Sequence, residues 1–171
     1  MNEKKILMVI APSNFRDEEL FHPKEVFENA GVKVTIASLK KGEIIGSLGG
    51  KVIAEIPLDE IYSEAYDAIV FIGGGGASIY FENEIAQNLA KEFNKKGKVV
   101  SAICIAPSIL ANANLLEGKK VTAFPSEQQN LESKGAIFTN EPVTIDGKII
   151  TANGPKSAKK FAQEIITAIR T

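Results

Sequence analysis

Apolar residues fall along this chain in short unbroken runs, separated by longer stretches that mix apolar and polar positions. Three runs that are almost entirely apolar cover residues 6–11, 67–72 and 98–103, and a further strand is predicted at 32–39. Continuous apolar runs of this length are typical of parallel strands that are buried on both faces. The pattern therefore predicts four central strands of a parallel sheet.

The stretches between these runs predict helices. The first begins at Asp17, which we expect to cap it, and ends at Gly31. The other helices are predicted at about 83–94, 106–116, 126–133 and 156–169. A small hairpin is predicted within residues 42–56, a short strand at Val121, and a second hairpin around Asp146-Gly147. Alternating strands and helices predict a single α/β domain over residues 1–171, with a doubly wound, mostly parallel sheet sandwiched by helices.

Composition removes several classes of function. The 171 residues carry 20 basic and 21 acidic side chains, a net charge of −1, so no basic surface for nucleic acid is expected. The apolar run that ends before Pro12 is too short for a signal peptide or a membrane span, so we expect a cytoplasmic protein with no membrane partner. One cysteine and one histidine leave no internal disulfide or zinc site, and neither metal nor cofactor is expected.

Candidate chemistry follows from the predicted fold. Ligands of doubly wound sheets bind beyond the carboxyl ends of the strands. The residues that follow those ends are 13–19, 73–76, 104–107 and 124–125. These four segments are where we expect the functional site.

Cys104 lies where an apolar strand meets a helix, with Ala102 and Ala106 two residues away on either side. Small residues at these two positions are typical of a nucleophile elbow, a strained turn that exposes a reactive side chain. A thiol at a helix N-terminus is expected to have a lowered pKa. The alternative interpretation is a buried cysteine that acts as a small apolar residue.

Four consecutive glycines follow the strand at 67–72. They do not form a dinucleotide fingerprint, because Ser78 occupies the third glycine position, and the chain contains no P-loop motif. We expect the run to bring backbone N–H groups close to Cys104, where the N–H of Ile105 would complete an oxyanion site. A glycine-rich turn without a ligand is the alternative.

An acidic cluster, Asp17-Glu18-Glu19, follows the first strand. Favourable interaction with the helix N-terminus explains Asp17 and Glu18 without any active site. His22 is the only histidine, and as a residue one turn later on the same helix it is expected to pack or to lie at an interface rather than to catalyse.

Five segments resemble the ThiJ/PfpI superfamily, which includes the parkinsonism-associated deglycase and PfpI-type intracellular peptidases. The segments are residues 19–23, 30–37, 70–74, 102–107 and 146–155, and together they span the whole chain. The resemblance implies a flavodoxin-like fold related to class I glutamine amidotransferases. It also implies that Glu19 is the conserved acid of the family, Cys104 the nucleophile, and Gly74 the glycine whose N–H faces the cysteine.

Two positions depart from the family pattern. PfpI-type peptidases carry a histidine directly after the cysteine, where this chain has Ile105, and the deglycase-like branch carries one where this chain has Phe124. Peptide hydrolysis needs a group that protonates the leaving amine, and Ile105 has no proton to give. Addition of a pre-ionised thiolate to an aldehyde expels no amine, and cysteine is the nucleophile that least needs a base, so small aldehydes suit this sequence better than peptides.

The resulting expectation is a cofactor-free glyoxalase- or deglycase-like enzyme that acts on 2-oxoaldehydes or their adducts through Cys104 and Glu19. A non-catalytic stress protein, either an oxidation sensor or a chaperone, is the alternative, and a PfpI-type cysteine peptidase is third. The Glu19 carboxyl is expected within about 3.5 Å of the Cys104 sulfur. A homodimer or higher homo-oligomer is expected through Leu20, Phe21 and His22.

Overall fold

A computed structural model describes residues 3–171, which form eleven strands and five α-helices. The strands are β1 (Lys5–Val9), β2 (Lys33–Ser38), β3 (Gly42–Ile45), β4 (Lys51–Ala54), β5 (Ile56–Pro57), β6 (Ala68–Phe71), β7 (Val99–Ile103), β8 (Lys120–Val121), β9 (Ile137–Phe138), β10 (Val143–Asp146) and β11 (Ile149–Ala152). The helices are α1 (Asp17–Asn29), α2 (Glu84–Lys95), α3 (Pro107–Asn112), α4 (Gln128–Ser133) and α5 (Ala158–Ile169).

Seven strands form the central sheet in the order β10-β11-β7-β6-β1-β2-β5. Every neighbouring pair is parallel except β10 and β11, which form an antiparallel hairpin at one edge. The strand order reverses direction at β1, with β2 on one side and β6 on the other. The predicted doubly wound, flavodoxin-like sheet is therefore confirmed, and the point of reversal lies where such folds place their ligands.

The unbroken apolar runs are explained by a core on each face of the sheet. Successive residues of β1 point to opposite faces, so Leu7 packs in one core and Met8 in the other. One core is closed by α2 and α3, whose buried residues include Phe93, and the other by α1 and α5, whose buried residues include Phe161. A strand that is buried on both faces has apolar side chains on both, so its sequence does not alternate between apolar and polar residues.

Local differences from the sequence predictions concern helix ends. The helix predicted over 106–116 is confined to α3, and Asn114 beyond it adopts a left-handed φ of 63° that cannot continue a helix. Asp17 is the first residue of α1 rather than its cap. Its carboxylate instead accepts hydrogen bonds from the N–H groups of Leu48 (2.9 Å) and Gly50 (2.7 Å) in the β3–β4 hairpin.

The hairpin predicted within 42–56 forms as β3 and β4, which pair as a small sheet of their own. Ile56 is outside it, because β5 joins the edge of the central sheet. Within residues 3–171, no helix combines the length and the apolar character that crossing a membrane requires.

Candidate active site

Three chain segments meet at the carboxyl ends of β1, β6 and β7, which are neighbours in the sheet. Glu19 lies in the first turn of α1 after β1, Gly73 and Gly74 follow β6, and Cys104 directly follows β7. The topology thus brings together all four residues that the sequence marked as catalytic or oxyanion-binding, since Ile105 is the residue after Cys104.

Cys104 has a φ of 65°, a left-handed conformation that is strained for a residue with a side chain. Two backbone hydrogen bonds hold it there: its N–H donates to the carbonyl of Ala152 at 2.9 Å, and its own carbonyl accepts from the N–H of Phe124 at 2.8 Å. Ala102 and Ala106 on either side are completely buried. This backbone geometry is that of the predicted nucleophile elbow.

Glu19 is completely buried, which is unusual for a carboxyl group without a partner. Within the described residues, neither of its carboxyl oxygens makes a hydrogen bond of good geometry. The Cys104 thiol and the N–H of Gly73 nevertheless lie close enough to lower its pKa somewhat. Burial is the larger effect and raises the pKa of Glu19 to about 7.

Gly73 is what allows the carboxyl and the cysteine to approach each other. A Cβ placed on Gly73 would lie 2.6 Å from the Cys104 Cβ and would also collide with Glu19 Oε1. Both functional side chains therefore pack against the same glycine Cα. Any larger residue at this position would push them apart.

The N–H groups of Gly74 and Ile105 both lie close enough to the Cys104 thiol to lower its pKa. Gly74 adopts a φ of 100°, and a Cβ there would lie 2.7 Å from the carbonyl oxygen of Asn14. The turn that aims its N–H is thus available only to glycine. Two N–H groups from separate loops converge on one sulfur, as an oxyanion site requires.

The prediction of a lowered thiol pKa is wrong. Burial and the negative charge of Glu19 outweigh the two N–H groups and raise the pKa of Cys104 to about 12. The helix contributes little because α3 begins only at Pro107 and is a single short helix of six residues. The thiol and the carboxyl titrate as a pair, because the negative charge of Glu19 acts on the thiol and raises its pKa.

The other two acidic residues of the cluster are occupied elsewhere. Asp17 binds the β3–β4 hairpin, as described above, and Glu18 pairs with Arg16 through hydrogen bonds of 2.8 Å and 3.1 Å. The Arg16 charge also reaches the site, where it lowers the pKa of Glu19. Arg16 was not marked by the sequence, although it directly precedes the acidic cluster.

No histidine lies beside the thiol. Ile105 is half-buried, Phe124 is 45% exposed, and His22 lies on α1. Among residues 3–171, no group of three or more potential metal ligands comes together. Glu19 is the side chain whose charge and hydrogen bonding act on the Cys104 thiol.

Comparisons with known proteins show what the chain is similar to. The sequence profile of the DJ-1/PfpI family matches residues 4–168. An uncharacterised protein of Methanocaldococcus jannaschii is 45% identical over 99% of this chain and 84% of its own length. A Pyrococcus horikoshii protein named as a deglycase is 30% identical, over 97% of this chain and 99% of its own.

A solved structure of a ThiJ/PfpI domain protein from Brachyspira murdochii superposes with a TM-score of 0.96. The two chains are 35% identical, and the match covers 99% of this chain and 98% of the other. The chain belongs to the DJ-1/PfpI family, which confirms the resemblance seen in the sequence.

Proposed function

We propose that this member of the DJ-1/PfpI family converts 2-oxoaldehydes, free or as adducts, into 2-hydroxy acids without a cofactor. The observation that carries the proposal is the buried Glu19 carboxyl, unpartnered in the described structure and with a pKa of about 7, against a thiol on a strained turn. The deglycase names of several relatives support an activity of this kind.

The raised pKa values of both groups suit a reaction that starts from the neutral thiol. A general base works best when its pKa lies near the operating pH, and Glu19 meets that condition. As the Cys104 sulfur bonds to the aldehyde carbon, its proton passes to Glu19 and the carbonyl electron pair moves onto oxygen. The N–H groups of Gly74 and Ile105 stabilise the charge on that oxygen. The oxygen then takes the proton from Glu19, and a hemithioacetal results.

Glu19 next moves a proton between the two adjacent carbons of the substrate. It removes the hydrogen from the former aldehyde carbon and returns it to the former ketone carbon. The hydroxyl proton of the hemithioacetal passes to the former ketone oxygen at the same stage, so a thioester of a 2-hydroxy acid is left on Cys104. Water then hydrolyses the thioester and restores the thiol. One carbon is oxidised as its neighbour is reduced, so the reaction consumes one water and needs no external oxidant or reductant.

Peptide hydrolysis remains disfavoured, because the residue after the cysteine is Ile105 and the only histidine is on α1. Oxidation sensing is less favoured, because peroxide reacts with the thiolate form, whereas burial and the negative charge of Glu19 raise the pKa of Cys104. Aldehyde addition with Glu19 as base avoids both difficulties.

The test is conversion of methylglyoxal to lactate by the wild type and by the Cys104→Ala variant. We expect turnover by the wild type and a loss of at least about 10³-fold in the variant, because the chain has no second thiol. Casein and fluorogenic peptides serve as negative substrates. Turnover that survives in Cys104→Ala, or peptide cleavage that disappears with it, would contradict the proposal.

We also propose that the protein forms a homodimer. Leu20 is completely buried in the core of its own chain, so its predicted place in the interface is wrong, whereas Phe21 and His22 are partly exposed. The β3–β4 hairpin instead presents three exposed apolar side chains, Ile45, Leu48 and Ile53, the second of them 63% exposed. A second copy would cover this surface.

Light scattering at micromolar concentration measures the oligomeric state. We expect a dimer for the wild type and a monomer for the double variant Leu48→Lys/Ile53→Lys, which places charges on the hairpin. Ile137→Lys changes an equally exposed isoleucine on β9 and is the control. A wild-type monomer, or a double variant that stays dimeric, would contradict the proposal.

A further inference from the structure

An apolar cleft is lined in part by segments whose backbone is hydrogen-bonded to Cys104, and the chemistry above does not use it. Its volume is about 490 Å³, and its walls include Phe124, Pro125, Pro142, Pro155 and Lys156. Methylglyoxal, with only a methyl group next to its two carbonyls, would leave this space empty. Pockets that bind small molecules are mostly apolar with a few polar groups that fix orientation, and this cleft has that character.

The cleft is joined to Cys104 through the backbone on two sides. The N–H of Phe124 donates to the carbonyl of Cys104 at 2.8 Å, and the carbonyl of Ala152, the residue before Asn153, accepts the N–H of Cys104. Asn153 in turn donates its N–H to the carbonyl of Pro142 at 3.0 Å. Walls from three loops are thus held in a fixed relation to the reactive residue.

Hydrogen bonds on both sides of Phe124 fix the position of this wall residue. Three residues after it, the side chain of Glu127 accepts a hydrogen bond of 2.6 Å from Ser108, a buried residue in the first turn of α3. The segment around Phe124 is therefore anchored to the Cys104 backbone at one end and to α3 at the other. A 45%-exposed aromatic ring held in this way is a preformed surface for an apolar group.

We propose, building on the proposed function, that Phe124 is a specificity-determining residue and that the cleft binds the substituent on the ketone carbon of the 2-oxoaldehyde. The substrate class is therefore 2-oxoaldehydes with a bulky apolar substituent, such as an aryl ring, rather than methylglyoxal. The thiol attacks the aldehyde carbon while the substituent lies against Phe124 and the prolines. Burial of an aryl ring makes the transition state of the larger substrate the more stable one.

The first test compares kcat/KM for phenylglyoxal and methylglyoxal. We expect the wild type to favour phenylglyoxal by at least about tenfold, the size of preference that an apolar pocket provides. Phe124→Ala should remove most of this preference, and Phe124→Leu should keep part of it. Tyr62→Ala is the matched control, since it removes a 68%-exposed aromatic ring before β6, at the opposite end of the sheet.

A second test measures binding to the cleft through the rate of Cys104 alkylation, without any turnover. Phenacyl bromide and bromoacetone both alkylate thiols, one carries a phenyl group where the other carries a methyl group, and Cys104 is the only thiol in the chain. The alkylation rate with each reagent is divided by the rate at which the same reagent alkylates glutathione. We expect the corrected ratio to favour phenacyl bromide by about tenfold in the wild type and to fall towards one in Phe124→Ala.

The two tests separate this inference from the proposed function. If both dicarbonyls are turned over and the ratio of their kcat/KM values is the same in the wild type and in Phe124→Ala, the inference is overturned and the proposed function stands. If neither is turned over, the proposed function fails, and the alkylation ratio alone decides whether the cleft binds aryl groups. An alkylation ratio near one in the wild type overturns the inference.

Discussion

Glutamate side chains at the two ends of the central sheet differ in their exposure and in the direction of their pKa shifts. At the amino end, Glu64 and Glu92 are exposed and pair with Lys96, at 2.7 Å and 3.2 Å. Both have a lowered pKa, first of all because of side-chain hydrogen bonds. At the carboxyl end, Glu19 is buried without a partner in the described structure, and its pKa is raised.

The physical cause of the difference is solvent. An exposed ion pair keeps most of its hydration and contributes little to stability, so it can be lost or replaced cheaply. A buried carboxyl without a hydrogen bond costs free energy in its charged form, and the fold must compensate elsewhere. Such a cost is typical of sites whose chemistry needs the strained or unsatisfied group.

The largest expected effect is on activity. Glu19→Gln keeps the shape of the side chain but removes the base, so kcat/KM for dicarbonyl turnover should fall by about 10²–10⁴-fold. Glu92→Gln makes the same chemical change at the amino end and should leave the rate unchanged. Steady-state kinetics of the two variants under identical conditions provide the measurement. Equal rates for the two variants would mean that burial of Glu19 has no catalytic purpose.

The next effect is the pH dependence of stability. The pKa of Glu19 is about 7 in the folded state against an ordinary value of 4.5, so the folded protein binds this proton more tightly. Its contribution is fully present below about pH 4.5 and is lost as the pH rises to 7, an effect of about 3 kcal/mol. Urea unfolding at several pH values should show this loss in the wild type but not in Glu19→Gln. A parallel loss in the variant would assign it to other groups.

The amino end should respond with the opposite sign. The pKa values of Glu64 and Glu92 are lowered, so their contribution is present above the ordinary value of 4.5 and is lost as the pH falls below it. Unfolding in the acid range, with and without 1 M salt, tests this, because salt screens exposed pairs. Acid sensitivity that is unchanged in Lys96→Ala would show that these pairs do not contribute.

A smaller effect on stability is expected at Asp17, which is buried like Glu19 but has both carboxylate oxygens in hydrogen bonds. Its carboxylate accepts two N–H groups of the β3–β4 hairpin, so Asp17→Ala leaves both donors without their partner. We expect the free energy of unfolding to fall by about 1–3 kcal/mol. Denaturant unfolding measures this loss, and Glu25→Ala on the exposed side of α1 is the control. An unchanged stability would show that the hairpin is held by other contacts.

The smallest effect is expected for Lys96→Ala. Both of its ion pairs are exposed, and exposed pairs contribute little to stability because solvent screens them. A small shift in the unfolding midpoint, with unchanged dicarbonyl turnover, is the expected result. A loss of activity here would show that the two ends of the sheet are coupled.

The sequence by itself determined the fold and the identity of the candidate residues. Apolar runs without alternation indicate strands covered on both faces, and strands alternating with helices leave few topologies open. Cys104 between two alanines and the glycines after β6 are local patterns, so their turn geometry could be inferred from neighbours in the chain. Glu19 was singled out by resemblance, since nothing local distinguishes it from Glu18.

Only the tertiary structure decided the electrostatics of the site and the surfaces around it. Whether a carboxyl is buried depends on residues far away in the chain, and this burial reversed the prediction for the pKa of Cys104. The fate of Asp17 and the burial of Leu20 likewise depend on the β3–β4 hairpin and the core. The cleft at Phe124 is formed by three loops that are adjacent only after the sheet has folded. Desolvation and packing are properties of that assembled structure, and no local pattern in the sequence encodes them.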